Sequence, residues 1–146
     1  GVAYNPYFIK NNDISLERDN LIKKVDSGLV NSIWLQFGSD LQALEREIKF
    51  IKKNITDQSN CFNRDIKLYG SILVPSKQFL ARFKFRPWRG VYLTHEFLNS
   101  LEYSKAITKE IYKLYLKNNI IPLVETECST IKQFNEVKNL VQDIFI

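Results

Sequence analysis

Glu17, Asn20 and Lys24 recur at spacings of three and four in the run Glu17-Arg18-Asp19-Asn20-Leu21-Ile22-Lys23-Lys24, with Lys23 alongside. On a helix those spacings share one face. A carboxylate, an amide and two ammonium groups placed so could hold the ribose and phosphates of a nucleotide. The same spacing also suits a solvated face with i,i+4 pairing. Gln36 sits near the end of the otherwise apolar run Ile33-Trp34-Leu35-Gln36-Phe37. A side-chain amide donates and accepts at once, so it can read the edge of a heterocycle or bond a nearby loop backbone. The segment Arg82-Phe83-Lys84-Phe85-Arg86-Pro87-Trp88-Arg89 alternates cations with aromatics. It fits a nucleic-acid surface, the rim of a binding site, or a loop with its rings packed down and its cations in water. His95, the single histidine, has no partner at ligand or triad spacing and reads as a surface residue at a helix end. Cys61 and Cys128 lie far apart without metal-ligand spacing and read as free thiols in a reducing cytoplasm.

Four strand–helix units must position these residues. A first strand over residues 1–5 ends at Pro6, and the polar run Lys10-Asn11-Asn12-Asp13 reads as a loop. A helix follows over residues 15–27, with Leu21, Ile22, Val25 and Leu29 inward and Gly28 at its C-terminal cap. The second strand covers residues 31–37 and is apolar on both faces. Ser39, with Gln42 three residues on, predicts a capping box for a helix whose stripe is Leu41, Leu44, Ile48 and Ile51. Residues 54–65 read as a polar loop. The third strand spans residues 67–74 and stops at Pro75, and Ser76 caps a short helix. Residues 86–94 are irregular. Helices over 94–101 and 104–118 follow, the longer burying Ile107, Ile111, Leu114 and Tyr115. The fourth strand covers residues 120–125. A last helix from Ser129 turns Ile131, Phe134, Val137, Val141 and Ile144 inward.

Strands apolar on both faces belong in a parallel sheet covered by helices, either doubly wound or half of a barrel. No glycine-rich phosphate fingerprint follows any strand, which weighs against a dinucleotide fold. A chain of 146 residues suffices for one domain with a core. No apolar run reaches membrane-spanning length. The net charge of +5 suits an anionic ligand, and equally a lysine-rich solvated surface. The chain has no methionine and begins directly in strand pattern, so a fragment or trimmed piece is expected.

Gly1-Val2-Ala3-Tyr4-Asn5-Pro6, Leu21-Ile22-Lys23-Lys24-Val25-Asp26-Ser27-Gly28 and Ile33-Trp34-Leu35-Gln36-Phe37, in this order and spacing, resemble the second half of the methylenetetrahydrofolate reductases. Those enzymes are FAD-dependent (β/α)8 barrels. Tyr69-Gly70-Ser71-Ile72-Leu73 and Pro75 are similar to the family's seventh strand and the turn after it. From residue 106 to 145 only the helix–strand–helix plan agrees. The resemblance implies an α/β chain forming the C-terminal half of a (β/α)8 TIM barrel, with four parallel βα units as strands five to eight of one partial-barrel domain. It implies part of a flavoenzyme that passes a hydride from NAD(P)H through FAD to 5,10-methylenetetrahydrofolate. It puts Asn5 at a position facing flavin and folate, and Glu17, Asn20, Lys23 and Lys24 on the helix that contacts FAD. Gln36 falls on the folate-contacting glutamine. The chain departs from the family at Ala81, near a second glutamine, and at Glu125, near an aromatic position. The family's acidic residues near the flavin come from the other half. Alone, the chain is therefore expected to be inactive, and to pair with a second copy or with the missing N-terminal half. The competing reading is a non-catalytic binding module for nucleic acid or protein on an incomplete barrel, with residues 82–89 as the surface that would hold nucleic acid.

Overall fold

The computed structural model describes residues 1–56, 65–126 and 128–145; the side chains of residues 136, 140 and 143–145 lie outside the description, as do the expectations for Cys61, for most of the polar loop and for Ile144. The described elements run β1 (Val2–Tyr4), α1 (Asn11–Asp26), β2 (Ser32–Leu35), α2 (Leu41–Ile51) with a π-turn at Lys52–Thr56, and β3 (Lys67–Leu73). Then come α3 (Lys77–Phe85), α4 (His95–Asn99), α5 (Leu101–Lys117), β4 (Ile121–Glu125) and α6 (Ile131–Phe145). The four strands form one sheet in the order β1-β2-β3-β4, and every pairing is parallel. The α/β class and the strand order are those expected from the sequence.

Alternation along the strands sorts the two faces of the sheet. Tyr4, Ile33, Leu35, Leu68 and Ile72 are buried against helices, packed with Leu21 of α1, Leu44, Ile48 and Ile51 of α2, and Ile111 and Tyr115 of α5. The other face carries the in-register row Ala3, Trp34, Tyr69 and Ile121. Trp34 is 43% exposed and Ile121 44%. The Trp34 and Tyr69 rings stack at 4.6 Å, and the Trp34 indole donates to Ser32 Oγ. The expectation of strands apolar on both faces holds only for the helix-covered face: Ser32, Lys67, Ser71 and Glu125 alternate onto the other, and among the described residues helices cover one face alone.

A second apolar cluster closes the C-terminal ends of β2 and β3. It joins Phe37 and Leu73 to Phe79, Leu80 and Phe83 of α3 and Phe97 of α4. Side-chain caps fix where the helices begin: Asp40 accepts from Ala43 N–H, Ser76 from Phe79, Thr94 from Phe97 and Ser100 from Tyr103.

Several expectations are corrected. Helix α1 starts at Asn11, because Asn11, Asn12 and Asp13 form its first turn instead of a loop. An acidic residue there complements the helix dipole. Leu29 is 88% exposed, since it lies beyond Gly28, whose φ of 80° has already turned the chain away from the helix face. Asp40, not Ser39, caps α2. Ser39 instead accepts from Thr94 N–H at 2.7 Å, and a parallel bridge joins Gly38 to Tyr92 beside it. Helices α4 and α5 divide at Ser100, which caps the second. On α6, Ile131 and Phe134 are exposed rather than inward, at 81% and 56%.

Candidate functional site

In parallel α/β folds, ligands gather at the C-terminal ends of the strands. Asn5 and Gln36 stand there, each one residue past its strand. Gln36 N–H donates to the Tyr4 carbonyl at 2.8 Å, which carries the ladder beyond Leu35 and sets Gln36 alongside Asn5. The Asn5 backbone N–H donates to Glu17 Oε1 of α1 at 2.8 Å. Asn5, Glu17 and Gln36 therefore share one corner of the sheet.

The amides in that corner differ in what they leave free. Asn5 uses both ends of its side chain: Oδ1 accepts from Tyr7 N–H at 3.1 Å, and Nδ2 donates to the Gly90 carbonyl at 2.8 Å. It fastens the β1–α1 turn to the loop before α4. Gln36 Oε1 accepts from the next backbone N–H, that of Phe37, at 3.0 Å. That is the local backbone bond foreseen as one of its two roles. Its Nε2 donates to no described protein atom and keeps its hydrogens for another acceptor.

Lys23 and Lys24 lie elsewhere. Helix α1 runs back along β1, so the seven residues from Glu17 to Lys24 travel about 10 Å toward the start of the strand. There the two lysines, with Gly1, Val2, Ser27 and Leu29, line an open groove of about 490 Å³. Both side chains are exposed, and among the described residues neither forms an ion pair. Asn20 is half-buried between the two ends. The sequence-derived set is thus strung along one helix face, with Gln36 at its upper end.

The basic–aromatic segment packs its rings down. Phe83 is buried, and Trp88 stands edge-on to Phe37, Phe79 and Phe83 at centroid distances of 5.7–6.1 Å. Only Phe85 of its aromatics projects fully into solvent. Two cavities flank this segment. One of about 720 Å³ lies past the ends of β3 and β4, bordered by Ser76, Gln78, Arg82, Thr126, Ser129 and Gln133. The other, about 330 Å³, has Tyr7, Asp40, Lys84 and Tyr92 in its wall. His95 is exposed at the start of α4, with its Nε2 2.8 Å from Asn99 Nδ2. Among the described residues no three His, Cys, Asp or Glu side chains gather as a metal site.

Sequence reasoning missed the most highly charged knot among the described residues. Glu47 of α2 is 1% exposed and accepts from Tyr4 Oη at 2.6 Å, from Arg18 Nε and Nη2 at 2.8 Å each, and from Arg46 Nε at 2.7 Å. Arg18 also lies over the Phe50 ring at 4.5 Å. Burial alone would raise the Glu47 pKa, but the Arg18, Tyr4 and Arg46 hydrogen bonds outweigh it and hold the carboxyl below its ordinary value. Burial, reinforced by the Glu47 carboxylate, pushes the Tyr4 phenol far up. The available signal was the position of Glu47, three residues after Leu44 and one before Ile48, inside the apolar stripe. Tyr7 was missed as well. It is buried, and its hydroxyl finds no hydrogen-bond partner among the described residues. Burial first, then the neighbouring Tyr115 phenol, raises its pKa.

No protein-family model matches the chain, and no curated protein matches it.

Proposed function

We propose that this chain is the C-terminal half of a (β/α)8 barrel of methylenetetrahydrofolate reductase type, contributing to FAD-mediated hydride transfer from NAD(P)H to 5,10-methylenetetrahydrofolate. The observation that carries the reading is the arrangement along α1. Glu17 is tied to Asn5 beside Gln36 at the mouth, and two unpaired lysines lie about 10 Å down the same helix. An extended dinucleotide is long enough to join the two ends. When bound, the flavin supplies the redox chemistry, and the protein binds and orients. Lys23 and Lys24 suit its phosphates, since exposed ammonium groups without protein partners give up no existing ion pair to accept one. Glu17 and Asn20 suit the ribose. The free Nε2 of Gln36 is a donor for the folate ring, and fixing that ring's distance and angle is how a side chain of this kind contributes to rate.

The test is flavin binding and half-reaction kinetics in the complete barrel. Lys24→Ala is expected to raise the FAD dissociation constant roughly tenfold, the loss of one charge-assisted contact of about 1.4 kcal/mol, read by flavin fluorescence titration. Unchanged affinity would return Lys24 to the solvated-face role. Gln36→Ala is expected to leave FAD bound and its reduction by NAD(P)H intact, while the folate half-reaction slows and folate affinity falls by about 1–2 kcal/mol. Stopped-flow absorbance at the flavin band separates the two steps. Equal loss in both would assign Gln36 only its bond to Phe37.

A further inference from the structure

The positive charge of this chain is concentrated in one stretch. No acidic residue lies between Asp65 and Glu96. Of the 21 lysines and arginines, six fall in that interval, which leaves 15 basic residues against all 16 acidic ones elsewhere. The stretch therefore carries +6 and the rest of the chain −1, so the net charge of +5 is a local property. Five of the six cations lie between Lys77 and Arg89, on α3 and the loop that follows it.

The same place presents an apolar side chain that touches almost nothing. Phe85, at the end of α3, is 92% exposed, while Phe79 and Phe83 of that helix are buried with the Trp88 ring against them. Lys84, Arg86 and Arg89 around it are exposed, and among the described residues none of the three forms an ion pair. Ile9, 80% exposed, borders the cavity that Lys84 and Pro87 also line. Asp40, the carboxylate in that wall, is already engaged as the N-cap of α2. Helix α3 follows β3, which has a strand on each side, so the patch belongs to neither open edge of the sheet.

Cations ringing a bare phenyl group match a surface that is anionic outside and apolar just beneath, as a bilayer with acidic headgroups is. A nucleic acid would ask for more rings. Single strands stack successive bases on several aromatic faces, and here Phe83 and Trp88 are committed to the core, which leaves one. A folded protein would cover one side of a projecting ring, whereas hydrocarbon surrounds all of it.

We propose that the end of α3 and the loop after it form a peripheral docking surface for anionic lipid bilayers, with Phe85 as the inserted side chain and Lys84, Arg86 and Arg89 on the headgroups. The inference is independent of the flavin reading.

Flotation of the 146-residue chain with lipid vesicles tests it. The chain is expected to float with phosphatidylcholine vesicles containing about one-third phosphatidylserine and to stay behind with phosphatidylcholine alone, and added salt should weaken the binding. Phe85→Ser changes no charge and removes almost no packing, and it is expected to lower the partition coefficient about tenfold. Arg86→Gln combined with Arg89→Gln is expected to lower it by about tenfold or more. Circular dichroism of each variant should match that of the unaltered chain. Equal binding to both kinds of vesicle, or binding to neither, would overturn the proposal. So would a folded Phe85→Ser chain that binds as before, since charge alone would then account for the attachment. Preference for a single-stranded oligonucleotide over the anionic vesicles, measured by competition, would assign the patch to nucleic acid and overturn it too.

Discussion

Glu47→Ala is expected to be the most damaging single substitution in the helix-covered core, lowering stability by about 3–5 kcal/mol. The carboxylate is where α1, β1 and α2 meet: Arg18 comes from the first helix, Tyr4 from the first strand, and Arg46 from its own helix. Removing it leaves the buried Tyr4 hydroxyl without its acceptor and the Arg18 guanidinium without its bidentate partner, and the two penalties fall in one place. Glu47→Gln keeps the shape and one acceptor, so it should cost less, and the gap between the two substitutions measures the charge. Equilibrium urea unfolding reads both. A change under about 1 kcal/mol for Glu47→Ala would mean that the guanidinium and phenol find other partners, as surface ion pairs do. The same group sets an acid limit. Its folded-state pKa lies below the ordinary 4.5, so its contribution is complete above that value and disappears as pH falls through the lower, folded-state one. Glu47→Gln should flatten the loss of stability in that acid window.

Gly70→Ala is the second large effect, an expected loss of about 3 kcal/mol, at the top of the range for overpacking a core. A Cβ at this position would sit 2.4 Å from Cε2 and Cζ of Tyr115. That ring belongs to a residue with no exposed surface, on α5, which packs against β3. It cannot swing aside as a lysine tip would, so the helix must move off the strand. Gly70 needs no unusual backbone angle, and the requirement is space alone. Tyr115→Leu costs stability by itself, but it vacates the ring's volume. The double substitution should therefore be less damaging than the sum of the two, with a coupling of at least about 1 kcal/mol. Strict additivity would show that the ring and the missing Cβ do not compete for the same space.

The parts of the fold that were legible in the sequence are those written in local pattern. Four apolar runs bounded by Pro6, Pro75 and polar turns gave the strands. The stripe Leu44, Ile48 and Ile51 gave α2, and Ser76 gave the cap of α3. What escaped was decided by competition between neighbours. Asn11, Asn12 and Asp13 have turn composition, yet they also suit a helix's first turn, and the backbone took the second option. Ser39 and Asp40 are both capping residues. The choice fell to Asp40 because Ser39 was claimed by Thr94, a residue 55 positions away. Ile131 and Phe134 kept the spacing of an inward stripe and still face water, since periodicity names a face without naming what lies opposite.

The candidate site was legible to a different degree. Position at strand ends singled out Asn5 and Gln36, and spacing put Glu17 on one face of α1; that the three share a corner is seen only in the structure. The occupation of Asn5 by Tyr7 and Gly90 could not be read, because the Gly90 bond spans 85 positions. Glu47 was hidden for an electrostatic reason. A glutamate on an amphipathic helix ordinarily signals solvent, and only the arrival of Arg18 from 29 residues away turns it into an interior group.

Strand order in this sheet repeats chain order without exception, and that bears on how the molecule is made. Each strand pairs with the one synthesised just before it, and no later strand has to be wedged between two that are already joined. A chain emerging from the ribosome can therefore add one βα unit at a time to a growing rim, with each docking step closing only a moderate loop. The same property makes the unit a natural currency of gene duplication. A copied unit appended at the rim meets the same kind of edge that the last one left, so the sheet can lengthen without disturbing its earlier pairings.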